Sequence, residues 1–163
     1  MNGTGFDTEV YTMENTRNNP TILIAEDDKD DRILLKEAFV ENGLNTPLFF
    51  VRDGEEVMDY LLNRGNFTGN TKENFPDMIL LDLNLPKKDG REVLKELKSN
   101  SHLKKIPVIV FSTSNAYHDV ANCYELGANC YMTKPQTFKD LIDAIQKIAT
   151  FWFNLAEFPK VEQ

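Results

Sequence analysis

The chain is short of cysteine, of basic charge and of long apolar runs, and each shortage removes a class of function. Its 2 cysteines, Cys123 and Cys130, stand without a second pair. That spacing fits neither a four-ligand zinc site nor a thioredoxin-like motif, and it predicts two reduced thiols in a cytoplasmic protein. Lys and Arg total 18 against 26 Asp and Glu, a formal charge of −8. Phosphate backbones require clustered basic residues, so nucleic-acid binding is not expected. No apolar run approaches the roughly 20 residues of a membrane-spanning helix. The first residues also lack a basic stretch followed by an apolar one, so neither an anchor nor an export signal is expected.

What the chain does have is an ordinary globular composition, with 41% apolar and 27% charged residues over 163 positions, enough for one domain with a core. Residues 1–19 are rich in Asn, Thr and Gly without an apolar period, and read as a flexible tail. From Pro20 onward, short apolar runs recur: Thr21 to Ala25, Leu48 to Val51, Met78 to Leu81, Val108 to Phe111 and Asn129 to Met132. They do not alternate apolar with polar residues. Continuous apolar strands suit a parallel sheet covered on both faces. Amphipathic stretches of helical length lie between and after them: Asp30 to Asn42, Glu55 to Asn63, Arg91 to Asn100, Tyr117 to Leu126, and Thr137 to Phe153. In the first, Ile33, Leu34, Ala38 and Phe39 read as the buried face, and Gly43 as the stop. Five β-α units predict an α/β fold, a doubly wound five-stranded parallel sheet with helices on both faces and right-handed crossovers. Arg64 to Phe75 is polar and rich in Gly and Asn, and reads as an elongated surface loop.

Ligands of such sheets bind beyond the carboxyl ends of the strands. Strand one ends in Glu26-Asp27-Asp28, strand three in Asp82, strand four in Ser112-Thr113 and strand five in Thr133-Lys134-Pro135. Each of these is unspecific alone: an acid at a strand end usually caps the next helix, and an acidic run is usually a solvated turn. Their joint placement brings carboxylates, a hydroxyl and an ammonium to one edge. Close carboxylates raise one another's pKa unless a cation neutralises them, and magnesium suits oxygen ligands of this kind. An aspartate carboxylate can attack phosphorus to give an acyl phosphate.

The segments Ile22 to Asp28, Leu80 to Gly90 and Gly127 to Pro135 resemble the signature blocks of two-component response regulator receivers, in the same order. The resemblance covers residues 20–153, leaving 154–163 as a C-terminal extension. It implies the flavodoxin-like strand order 2-1-3-4-5. It further implies that Asp82 is the phosphoacceptor, with magnesium held by Glu26, Asp27, Asp82 and the backbone carbonyl of Asn84. Asp28 ranks below the other two acids as a ligand. The resemblance makes Ser112 the switch hydroxyl, with Thr113 beside it leaving the register open by one. Tyr131 becomes the aromatic that turns inward on phosphorylation, and Lys134 the phosphate-pairing lysine aimed by a cis peptide before Pro135. Taken alone, Tyr131 is more often plain core. The long loop, the Asn84 block and the aromatic C-terminus narrow the likeness to single-domain regulators of bacterial and cyanobacterial phytochrome histidine kinases. That implies a sensor kinase as partner, output through protein contact, and no turnover of an outside substrate.

Two rival classes are weighed against this. An aspartate-nucleophile phosphohydrolase needs a second acid two residues after its nucleophile, and Asn84 stands there. A receiver degenerated to a scaffold would have lost some of the acids, the hydroxyl or the lysine, and none is missing. At the C-terminus, Leu141, Ile145, Ile148 and Trp152 form one docking stripe. Ile142, Ala149, Phe151, Phe153, Leu155 and Phe158 exceed it; they either fold back on the domain or form a homodimer or partner face, for which Phe151, Trp152, Phe153 and Leu155 are the candidates. His102 and His118 read as exposed and without a chemical role.

Overall fold

Five runs of four or five residues pair in parallel in the order β2-β1-β3-β4-β5. The strands are β1 (Ile22–Ala25), β2 (Leu48–Val51), β3 (Met78–Leu81), β4 (Val108–Ser112) and β5 (Cys130–Thr133). The helices are α1 (Lys29–Glu41), α2 (Gly54–Leu61), α3 (Gly90–Ser99), α4 (Tyr117–Glu125) and α5 (Phe138–Asn154). This computed structural model describes residues 19–159, so the tail read over residues 1–19 lies outside it except for Asn19, as do residues 160–163.

The strands lack an apolar/polar alternation because both faces of the sheet are covered. Leu23, Ile79, Leu81, Val108 and Val110 pack with Val57, Met58, Leu61, Val93, Leu94, Leu97 and Cys123 from α2, α3 and α4. Ile22, Ile24, Met78, Leu80, Ile109 and Phe111 pack with residues of α1 and α5. Neighbouring residues of one strand thus serve two cores, as the two-residue repeat of a strand requires. Burial of a Leu or Ile side chain contributes about 1.5–3 kcal/mol, so these two layers supply most of the favourable term.

Three expectations change. In α1 the buried residues are Leu35, Ala38 and Phe39, whereas Ile33 and Leu34 are 46% and 38% exposed. The run Ile33-Leu34-Leu35 offers two rival stripes, and contact with the sheet selects the one through Leu35. The loop from Arg64 to Phe75 is more ordered than its composition suggests: 3-10 turns form at Gly65–Phe67 and Lys72–Asn74. Phe67 and Phe75 pack on the core, and the Tyr60 hydroxyl donates to the Asn74 carbonyl at 2.6 Å. The Lys134–Pro135 peptide is trans, since no cis bond occurs among the described residues. Trans remains the favoured isomer before proline by about 0.5–1 kcal/mol.

Gly43 and Gly127 end α1 and α4 at φ +66° and +101°, the left-handed conformation that a C-terminal stop needs. Gly90 is small for another reason. A Cβ there would lie 2.3 Å from the Asp82 carbonyl oxygen and 2.6 Å from the Leu83 Cα, both backbone atoms. Gly90→Ala should therefore cost about 2–3 kcal/mol of stability, the usual scale of forced overpacking, measured as a lowered urea midpoint. An unchanged midpoint would show that the loop after β3 yields freely.

Candidate functional site

Strand register builds the site. Ala25 pairs with Leu81, so the next residues, Glu26 and Asp82, emerge side by side from β1 and β3. The Asp82 N–H donates to the Ala25 carbonyl at 3.1 Å. On the other flank, Ser112 pairs with Thr133, and the Lys134 N–H donates to the Ser112 carbonyl at 2.7 Å. Four residues distant in sequence thereby meet at one edge of the sheet.

Glu26 and Asp82 are 2% and 6% exposed. The Lys134 ammonium donates to Glu26 Oε2 and to Asp82 Oδ2, each at 3.0 Å. Oxygens of Glu26, exposed Asp27 and Asp82 lie within 4.8 Å of one another. Three carboxyls thus crowd one another, and one ammonium contacts two of them. Burial, then the neighbouring Asp82 and Asp31 carboxylates, push Glu26 up to about 9 against the lowering pull of Lys134. Burial alone would lower Lys134, but the charges of Asp82 and Glu26 outweigh it and hold the ammonium above its ordinary value. A pocket this rich in oxygen and short of positive charge fits a hard divalent cation.

The remaining sequence candidates fall around it. The Asn84 N–H donates to Asp82 Oδ1 at 3.3 Å. Ser112 is fully buried and its Oγ accepts from the Ser114 N–H at 3.3 Å, whereas Thr113 is exposed. The Tyr131 ring is packed against the core and its hydroxyl donates to the Ser114 carbonyl at 2.7 Å. Asp28 caps α1, accepting from the Asp31 N–H at 2.9 Å. Beside Lys134 an open cleft of about 420 Å³ runs between α1 and the start of α5, lined by Asp31, Leu34, Thr113 and Phe138 among others.

Two residues escaped sequence reading. Arg32 donates to the carbonyls of Glu26 at 2.9 Å and Asp27 at 2.8 Å, holding the acidic turn in place. Asp31 Oδ2 lies 3.7 Å from Lys134 Nζ. Both sit in the first turns of α1, one helical turn after the acidic run, a position that would have marked them.

The aromatic C-terminus divides. Phe153 is 8% exposed and belongs to the α1/α5 core, which corrects its placement on an outer face. Trp152 is half-buried and stacks on Phe158 with ring centroids 5.9 Å apart. Phe151 and Leu155 remain 52% and 71% exposed.

The comparisons with known proteins agree with this geometry. The family model of the response regulator receiver domain matches residues 22–146. Response regulator Rcp1 of Synechocystis sp. is 43% identical over 148 residues, 90% of this chain and 99% of that protein. The crystal structure of the phosphorylated cyanobacterial phytochrome response regulator RcpA superposes with a TM-score of 0.80 at 43% identity, covering 88% of this chain and 100% of that one. The Mn(2+)-bound form of Rcp1 gives a TM-score of 0.78 at 43% identity, over 86% of this chain and 99% of that one. With its strand order, its acidic edge and these relatives, the chain belongs to the response regulator receiver family of two-component systems.

Proposed function

We propose that Asp82 is the phosphoacceptor and takes a phosphoryl group from a phosphohistidine of a sensor kinase. The observation that carries this reading is the buried Asp82 carboxylate 3.0 Å from Lys134 and beside Glu26 and Asp27. One Asp82 oxygen attacks phosphorus, the bond from phosphorus to the histidine nitrogen breaks, and an acyl phosphate results. Lys134 offers its ammonium to a phosphoryl oxygen, and Ser112 its hydroxyl to another, with Thr113 at the rim. Glu26, Asp27, Asp82 and the Asn84 carbonyl would hold magnesium, which when bound supplies charge neutralisation for the transferring phosphoryl oxygens. Such chemistry is a self-modification rather than turnover of an outside substrate. The added charge draws Ser112 and Lys134 together, biasing β4, its following loop and the inward arrangement of Tyr131.

The domain spans residues 20–153, with 154–163 as an extension, and acts in the cytoplasm through protein contact and not on nucleic acid. The cleft beside Lys134 offers the donor a way in, and the likeness to the cyanobacterial phytochrome response regulator RcpA supports a phytochrome-type sensor kinase as the partner. Two-dimensional amide spectra with magnesium and beryllofluoride test the switch: shifts at Ser112, Ser114 and Tyr131 are expected, and a spectrum that stays still would refute it.

Phe151 and Leu155, with the edge of Trp152, form the face of a homodimer. At micromolar concentration, light scattering should give twice the chain mass for the native protein and a single chain mass for Phe151→Ala with Leu155→Ser. A monomeric native protein would remove the dimer.

A further inference from the structure

Of the five α-helices among the described residues, α4 alone starts without a side-chain cap: Asp28, Asp53, Asp89 and Thr137 cap the others, while Ala116 opens α4. Its start is held from outside. Arg91, in the first turn of α3, donates to Asp119 Oδ1 at 2.7 Å and to Asp89 at 3.3 Å. The second oxygen of Asp119 accepts from the Ser114 hydroxyl at 2.6 Å. The Ser114 Oγ in turn accepts from the Ala116 N–H at 3.3 Å. Arg91 itself is fixed on the loop after Asp82, because the Gly90 N–H donates to the Leu83 carbonyl at 2.8 Å. A half-buried, charge-assisted chain of this kind is stronger than a neutral hydrogen bond and is directional. His118 adds a weaker contact to Asp119 at 3.6 Å.

We propose that Arg91 and Asp119 are positioning residues: through Ser114, they fix the loop between β4 and α4 so that its carbonyl receives the Tyr131 hydroxyl, tying the aromatic switch to the phosphoacceptor loop. Phe or Leu at position 91 would leave Asp119 held only by Ser114 and, weakly, by His118, so the carbonyl that receives the Tyr131 hydroxyl would be less firmly placed. The link to phosphorylation rests on the function proposed above; the link to Tyr131 does not.

The test uses the whole chain in four forms: native, Asp119→Asn, Tyr131→Phe and the double variant. The Tyr131 ring resonances, read without beryllofluoride, should move towards solvent-exposed values in Asp119→Asn. With magnesium, apparent beryllofluoride affinity should fall about tenfold, within the usual range of coupling between sites. In the Tyr131→Phe background, Asp119→Asn should add nothing, since both changes break one chain. Native ring resonances in Asp119→Asn, or effects that add, would overturn the proposal. Should Asp119→Asn fail to fold, Ser114→Ala breaks the same chain and is held to the same two outcomes. A native protein indifferent to beryllofluoride would sink the phosphorylation reading, while the ring resonances would still decide the role of the pair.

Discussion

Asp82→Asn should lose phosphoryl acceptance by more than about 1,000-fold, since removing a nucleophile that acts in a concerted set commonly costs three orders of magnitude or more. The change is isosteric, so the loss would be chemical. Asp82 shares its pocket with Glu26 and Asp27, and its oxygen lies 3.0 Å from Lys134. Removing one of three carboxyls relieves like-charge crowding. The urea midpoint of Asp82→Asn in metal-free buffer should therefore match or exceed that of the native protein. Phosphotransfer from a phosphorylated sensor kinase, followed by radiolabel, reads the first effect. Retained labelling would move the acceptor elsewhere, and a collapsed midpoint would make the loss structural.

The second large effect is expected at Lys134. Its ammonium meets both Glu26 and Asp82 at 3.0 Å, and all three side chains are largely buried. Lys134→Met leaves the two carboxyls facing each other without a counter-charge. Removing one partner of a buried ion pair typically costs about 3–5 kcal/mol, and the lower end applies here because exposed Asp27 lets water reach the edge. Transfer to Asp82 should fall by about 100-fold or more, the scale of losing one preorganised charge at a developing oxyanion. The two effects separate in magnesium. A divalent cation would replace the missing charge on the carboxyls, so added magnesium should raise the urea midpoint of Lys134→Met more than that of the native protein. It would not restore the transfer rate, because in the proposed chemistry Lys134 itself pairs with the phosphoryl group. Equal magnesium response in both proteins would mean that Lys134 does not share the acidic pocket.

The sheet was legible because its strands are covered twice: runs such as Met78 to Leu81 and Val108 to Phe111 have no polar interruption, which a half-solvated strand would show. The edge carrying the chemistry was legible for a related reason. In a parallel sheet every strand ends on the same side, so Glu26, Asp82, Ser112 and Lys134 could be collected by reading strand ends alone. What stayed hidden depends on side-chain reach. The Arg91–Asp119 pair bridges 28 positions between two helices, and nothing local marks either residue. In α1, three consecutive apolar residues left the inward stripe ambiguous until packing chose Leu35. Phe67 and Phe75 anchor a loop whose Gly and Asn content suggested none of that order. Phe153 lies deep enough to serve the core, whereas its neighbours Phe151 and Leu155 point outward, a split that depends on the phase of α5 against the sheet.

The proposed chemistry makes one product, an acyl phosphate on a buried aspartate, and that product can be trapped. Borohydride reduces an aspartyl phosphate to homoserine, so reduction after phosphotransfer, followed by digestion and mass spectrometry, names the residue. Homoserine at position 82, requiring both donor and magnesium, is the predicted result. Modification at another residue, or phosphate that resists borohydride as a hydroxyl ester would, contradicts the account.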